Sequence, residues 1–137
     1  MAASLPDLSG SCHCGEVRWQ YPVELESVTA CNCTLCRKYG ALWAYGFREE
    51  GIQVGGITSH YERGSKINKF HFCSNCGCLT HYQANEKNAD GFTRIAVNLR
   101  MIEDPQKIAS LPIDRFDGLS TFEDQPRDHR CVKDLWF

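Results

Sequence analysis

Eight of the nine cysteines fall into three tight groups: Cys12 with Cys14, then Cys31, Cys33 and Cys36, then Cys73, Cys76 and Cys78. Cys131 stands alone. No other feature constrains so strongly what this chain can fold into. An odd number of thiols argues against a disulfide framework. The opening MAASLPDLSGSC has neither the charged start nor the apolar core of a secretory leader. The expectation is a cytoplasmic chain, and in a reducing compartment clustered thiols more often bind metal.

The 137 residues suit one domain, expected to span 1–137. Hydrophobic residues make up 42% and aromatics 11%, enough for one ordinary core. Lys and Arg total 15 against 17 Asp and Glu, a formal net charge of −2 without any basic run, which argues against a nucleic-acid partner. No apolar stretch approaches the roughly 20 residues of a membrane span, so no membrane partner is expected.

Alternation dominates the chain. In GEVRWQY (15–21), Val17, Trp19 and Tyr21 share one face while Glu16, Arg18 and Gln20 share the other. This period of two reads as a half-buried strand. TRIAVNL (93–99) reads the same way, with Ile95, Val97 and Leu99 against Arg94, Ala96 and Asn98. Weaker strands are expected at LWAYGF (42–47), TSHYER (58–63) and NKFHFC (68–73), rich in aromatic or β-branched residues. Helical signals are few. CTLCRKYG (33–40) could form one short turn ending at Gly40, and EDPQKIASLP (103–112) a short helix capped by Asp104 with Pro105 at its first position. The class is all-β, with one or two short helices.

The cysteine groups sit at strand ends. CHC (12–14) precedes the first clear strand, and CSNC (73–76) follows another and runs into Gly77. A C-x-x-C-G turn aims two thiolates at one tetrahedral ion while the glycine relieves the backbone. Joined, the two pairs would make a four-cysteine zinc site stapling distant strands. Spacing alone leaves other pairings open. Cys31 and Cys33 could join Cys73 and Cys76, Cys78 could replace Cys76, and His13, His71 or His81 could enter as a ligand. A neighbour of a ligand in an alternating strand points to the opposite face, which disfavours each histidine.

GSCHCGEVRW (10–19), CNCTLCRKYGAL (31–42) and FCSNCGCLTHY (72–82), in that order and spacing, resemble the glutathione-dependent formaldehyde-activating enzyme family, which also includes centromere protein V. IAVNLRMIEDP (95–105) extends the match, and IDRFDGL (113–119) and the ending LWF (135–137) echo it, so that the likeness covers most of 9–137. The resemblance implies a tent-like, all-β arrangement of small antiparallel sheets carrying two zinc ions. By position, Cys12, Cys14, Cys73 and Cys76 would form a closed structural site. Cys31, Cys33 and Cys36 would hold a second, catalytic zinc with its fourth position open. The activity implied joins glutathione to formaldehyde and is classed as a carbon–sulfur lyase.

A zinc with three protein ligands keeps a place for water or substrate. There it could hold a substrate thiol as thiolate, or polarise a carbonyl. Three anionic ligands weaken Lewis acidity, which favours capture of a small-molecule thiol. Glutathione carries two carboxylates, so a cationic wall is expected. Arg37 is the first candidate to bind it, with Lys38, Arg63, Lys66 and Lys69 behind, and Trp43 and Tyr45 could line a pocket. Many family members place His where this chain has Asn32, which cannot shuttle a proton near neutral pH. Cys78 is expected to be a small buried residue and Cys131 to be structural or incidental. The competing readings are a zinc-stabilised β scaffold for a partner, and a redox or metal sensor built on the three-cysteine group.

Overall fold

The structure is a computed structural model describing residues 7–135. Residues 1–6 of the opening MAASLPDLSGSC and the last two residues of the aromatic ending (136–137) lie outside the described residues.

The alternation of 15–21 is realised with its polar positions outward: Val17, Trp19 and Tyr21 are buried, and Glu16, Arg18 and Gln20 are exposed. Its strand, β2 (Arg18–Tyr21), pairs antiparallel with β1 (Leu8–Ser11) and with β5 (Gln53–Gly55) in a three-stranded sheet. The remaining strands are β3 (Val28–Cys31), β4 (Trp43–Phe47), β6 (Thr58–Tyr61), β7 (Asn68–Cys73), β8 (Leu79–Ala84), β9 (Arg94–Asn98), β10 (Ile113–Asp117) and β11 (Glu123–Gln125). They form one sheet in the order β11-β10-β3-β4-β9-β8-β7-β6. Every neighbouring pair in it is antiparallel except β3 and β10, which run parallel with Phe116 beside Cys31. The expected β class is therefore what the chain adopts, with one parallel pair in an otherwise antiparallel arrangement.

Strands β4 and β9 lie at the middle of the large sheet, and both of their faces are covered. On one face Leu42, Ala44, Ile95, Val97 and Leu99 pack against Trp19 and Tyr21 of the small sheet. On the other, Ala41, Trp43 and Ala96 pack with Phe70, Leu79, Tyr82, Cys33 and Cys36. The half-buried reading of 93–99 thus needs correction. Ala96 and Asn98, on its supposed polar face, are 0% and 2% exposed. A small residue at 96 leaves room for the aromatic and cysteine layer that covers that face.

The segment 33–40 forms α1 (Thr34–Tyr39), with Gly40 ending it at φ 66°. Gly40 adopts the left-handed conformation that a helix end of this kind requires. The short helix expected in 103–112 is a single 3-10 turn, Pro105–Lys107, whose Asp104 carboxylate accepts from the Gln106 N–H at 3.1 Å. The cap was legible. Burial of Ile108 in the main core directs the chain inward after one turn, and too few residues remain to offset the cost of helix nucleation. Among the described residues no helix is long and apolar enough to cross a membrane.

Buried Asn98 ties the middle of the sheet together. Its Oδ1 accepts from the N–H groups of Leu42 at 3.3 Å and Arg100 at 3.1 Å, and its Nδ2 donates to the Leu79 carbonyl at 2.8 Å. Removing the amide strands three backbone groups, two of them in the buried interior and the third part-buried. Asn98→Ala is therefore expected to cost about 2–4 kcal/mol in urea unfolding of the metal-replete protein, against about 1 kcal/mol for an average substitution. A loss below about 1 kcal/mol would show that these contacts are replaceable.

Candidate metal centres

Two turns supply the first centre. Between β1 and β2, the Cys12 N–H donates to the Val17 carbonyl at 2.9 Å, and the Val17 N–H donates to Cys12 Sγ at 3.3 Å. Between β7 and β8, the N–H groups of Asn75 and Cys76 both reach Cys73 Sγ at 3.4 Å, and Gly77 takes φ +82° to close the turn. The two turns meet: Cys14 Sγ lies 3.6 Å from Cys12 Sγ and 3.5 Å from Cys73 Sγ. With Cys76, the four sulfurs lie within 4.8 Å of one another. Sulfurs on one tetrahedral zinc at about 2.3 Å would stand about 3.8 Å apart, so the set fits a single ion. N–H donors also favour the ionised ligand: the Cys78 N–H, first of several contacts, pulls the Cys76 thiol down to about 5.

Cys31, Cys33 and Cys36 form a second set, again within 4.8 Å of one another. Cys31 ends β3, Cys33 caps α1, and Cys36 lies on its first turn. The Cys36 N–H donates to Cys33 Sγ at 3.2 Å and the Cys33 N–H to Cys31 Sγ at 3.5 Å, so the capping contact that starts the helix also orients the sulfurs. Two side chains reach the set from elsewhere: Trp43 Nε1 donates to Cys36 Sγ at 3.4 Å, and Arg63 Nη1 to Cys33 Sγ at 3.6 Å. Cys33 and Cys36 are buried and Cys31 is half-buried, so the approach is on the Cys31 side. The Cys36 thiol beside Cys31 pulls the Cys31 thiol down to about 5, while that contact and burial push Cys36 up.

The alternative groupings do not form. Among the described residues the sets able to hold a metal are these four and these three cysteines, with no histidine in either. Cys78 is half-buried beside the first set, and its carbonyl accepts from the Cys73 N–H at 3.0 Å. Cys131 precedes a 3-10 turn, Val132–Leu135, where its N–H and Sγ both meet the Asp134 carboxylate. His13 is exposed, and His71 and His81 lie against each other across β7 and β8.

Asn32 is turned to a structural task. Its Nδ2 donates to Asp117 Oδ1 at 3.1 Å and its Oδ1 accepts from the Leu119 N–H at 3.0 Å. That contact, first among several, holds the Asp117 carboxyl down at about 2. The turn so anchored carries Gly118 against the metal set. A Cβ there would lie 2.6 Å from Cys31 Sγ and 3.2 Å from the Cys33 Cβ. The motif reading passed over Gly118, and its signal was present only as the weak IDRFDGL likeness. Arg37 and Lys38 are exposed in the last turn of α1, and the guanidinium that meets a cluster sulfur is Arg63's.

A cavity of about 410 Å³ opens beside β3 and β4, lined from both layers by residues that include Tyr21 and Ala44 of the main core. Thr29, two residues before Cys31, lines it with Trp43, Tyr45 and Asp114, and Glu24 and Glu26 form its rim. Trp43 therefore joins the cavity to the three-cysteine set. Tyr45 carries the Arg94 guanidinium over its ring at 4.8 Å.

A sequence profile described as glutathione-dependent formaldehyde-activating enzyme matches residues 7–111, a span holding both cysteine sets. A crystal structure of a Rhodobacter sphaeroides protein, solved as a Northeast Structural Genomics target, is similar to this chain with a TM-score of 0.57. The two are 27% identical, and the likeness covers 77% of this chain and 98% of that one. No curated protein matches the chain.

Gly118→Ala is expected to weaken metal binding by Cys31, Cys33 and Cys36 by at least about 10-fold, the lower end of what loss of a supporting contact costs a metal site. The four-cysteine site should keep its ion. Chelator competition on the purified variant measures both, and two ions held at wild-type affinity would show that the 117–121 turn yields without cost.

Proposed function

The chain belongs to the glutathione-dependent formaldehyde-activating enzyme family, and on that premise we propose that it makes or breaks a carbon–sulfur bond between a small thiol and an aldehyde. Glutathione and formaldehyde are the first candidates, which would make the protein a carbon–sulfur lyase of the S-hydroxymethylglutathione-forming type. One observation carries this reading: seven cysteines divide into a set of four that can saturate one ion and a set of three that cannot. A zinc held by Cys31, Cys33 and Cys36 would keep a substrate thiol ionised near neutral pH.

The residues around that set suit the task. Trp43 Nε1–H and the Arg63 guanidinium stand against two of the three sulfurs and offset their negative charge. Buried Trp43, Phe70 and Tyr82 form a dry floor, with Trp43 and Tyr82 in an edge-on contact at 4.8 Å. Excluding water there strengthens charge interactions and protects an aldehyde adduct from side reactions. Arg63, with Arg37 from α1, is available to glutathione carboxylates, while Glu24 and Glu26 at the cavity rim suit its ammonium group. Asn32 supports the 117–121 turn in this scheme and moves no proton, so proton transfer falls to the thiol itself or to solvent.

Wild-type protein is expected to bind two zinc ions and Cys36→Ser one, with glutathione slowing loss of the second ion from wild type. Formation of S-hydroxymethylglutathione, followed by exchange NMR, should fall at least about 100-fold in Cys36→Ser, beyond what a change outside the ligand set costs. A wild type that holds only one zinc under reducing, zinc-replete conditions, or whose second ion ignores glutathione, would remove the basis for this activity.

A further inference from the structure

Three histidines stand side by side across the edge of the large sheet: His60 on β6 opposite His71 on β7, and His71 opposite His81 on β8. Exposure falls along the row, from exposed His60 to His81 at 4%. The His71 and His81 rings stack at 4.6 Å, 8° from parallel. They lie on the face of β7 and β8 opposite Phe70 and Tyr82, and so away from the three-cysteine set. With Arg48, Thr58 and Gln83 they line a cleft of about 230 Å³, closed on its other side by Val54, Gly55 and Gly56 at the end of β5.

The hydrogen on the His81 ring can be placed from its neighbours. The register of β7 and β8 shifts between His71 and Phe72, which makes Thr80 the extra residue of a bulge. The buried Thr80 hydroxyl donates to the His71 carbonyl at 3.3 Å, because a carbonyl can only accept. The same oxygen lies 2.9 Å from His81 Nδ1. Its one hydrogen is already committed, so Nδ1 must carry the hydrogen of that contact, and Nε2 presents a bare lone pair. No described group bonds Nε2. Among the described residues the one side-chain polar atom both fully buried and unpartnered is Trp19 Nε1, so His81 Nε2 opens on the cleft.

Arg48 supplies the opposite character. Its Nη1 donates to Gln83 Oε1 at 3.3 Å, which fixes the guanidinium at the cleft wall and leaves the rest of its five-donor fork available. The cleft thus offers one cation shaped for a carboxylate and, beside it, one acceptor that wants an O–H or N–H. Its volume equals that of about seven or eight waters at about 30 Å³ each, room for a molecule of roughly half a dozen heavy atoms.

We propose that this cleft is a second ligand site, which binds a small hydroxylated carboxylate with its carboxylate on Arg48 and its hydroxyl donating to His81 Nε2. A single guanidinium matches one negative charge, which favours a carboxylate over a phosphate dianion. Burial, with the nearby His71 and Arg48, pushes His81 down to about 3, so its lone pair persists throughout the physiological range. The site stands on the side of the sheet away from the proposed chemistry and does not depend on it.

The test titrates the zinc-replete protein with glycolate, acetate and inorganic phosphate while following the His81 ring nitrogens and the Arg48 guanidinium by NMR. Free protein should show His81 protonated at Nδ1. Glycolate should shift both groups saturably, and acetate, which lacks the hydroxyl, should bind about fivefold more weakly, the worth of one neutral hydrogen bond. Arg48→Met should weaken glycolate by at least about 10-fold, the loss of a charge-assisted contact. Half-buried Arg48 lies outside both cysteine sets, so the variant should keep its zinc content and the rest of its spectrum. An Nε2-protonated His81, equal binding of glycolate and acetate, preference for phosphate, or no saturable shift would each overturn the proposal.

Discussion

The convergence of Cys12, Cys14, Cys73 and Cys76 is the constraint on which the rest of the architecture depends. Four sulfurs within 4.8 Å of one another cannot all ionise unless a cation sits among them. Bound to one, they join the β1–β2 turn of the small sheet to the β7–β8 turn of the large one. The small sheet is thereby held over one face of β4 and β9, where Trp19 and Tyr21 meet Ile95, Val97 and Leu99. That contact forms the main core, and the end of β5 in the same small sheet forms one wall of the histidine cleft.

The same two central strands serve the other centre from behind. Alternation sends Leu42 and Ala44 into the main core and Trp43 toward Cys36, so a single strand builds the hydrophobic interior and orients a metal-set sulfur. Because both faces are covered, a change on β4 or β9 acts on two layers at once. The three-cysteine set rests on a packed layer underneath and is more open beside Cys31.

Much of this was legible in the chain. The strands within 15–21 and 93–99 followed from alternation, those within 42–47, 58–63 and 68–73 from aromatic and β-branched content, α1 from its end at Gly40, and the two cysteine groupings from the family resemblance, while the other six strands were not foreseen. What escaped had a common cause. Ala96 and Asn98 looked solvent-facing because alternation reports polarity and cannot report that a second layer covers a strand. The helix expected in 103–112 shortened to one turn because Ile108 is drawn into the core. Arg63 and Gly118 lie 30 and 85 residues beyond Cys33, so no local pattern linked them to the cysteines. Arg37, adjacent to Cys36 in sequence, is exposed in the last turn of α1, and the guanidinium that meets a cluster sulfur comes from Arg63.

The sequence by itself determined the donor chemistry and the local geometry. Thiols two, three or five residues apart in turns can only point at a common spot nearby, and capping and left-handed glycines follow from the same short-range sterics. Tertiary structure decided how those local groups combine. Which pairs make four and which three stand alone depends on strand order and register over separations of about 60 residues, as between Cys14 and Cys73. It also decided that a bulge at Thr80 would hold His81 Nδ1 and place His81 in one cleft with Arg48. Such choices belong to the packing of two sheets around β4 and β9, since hydrogen-bond register and side-chain volume act between segments that the linear chain keeps apart.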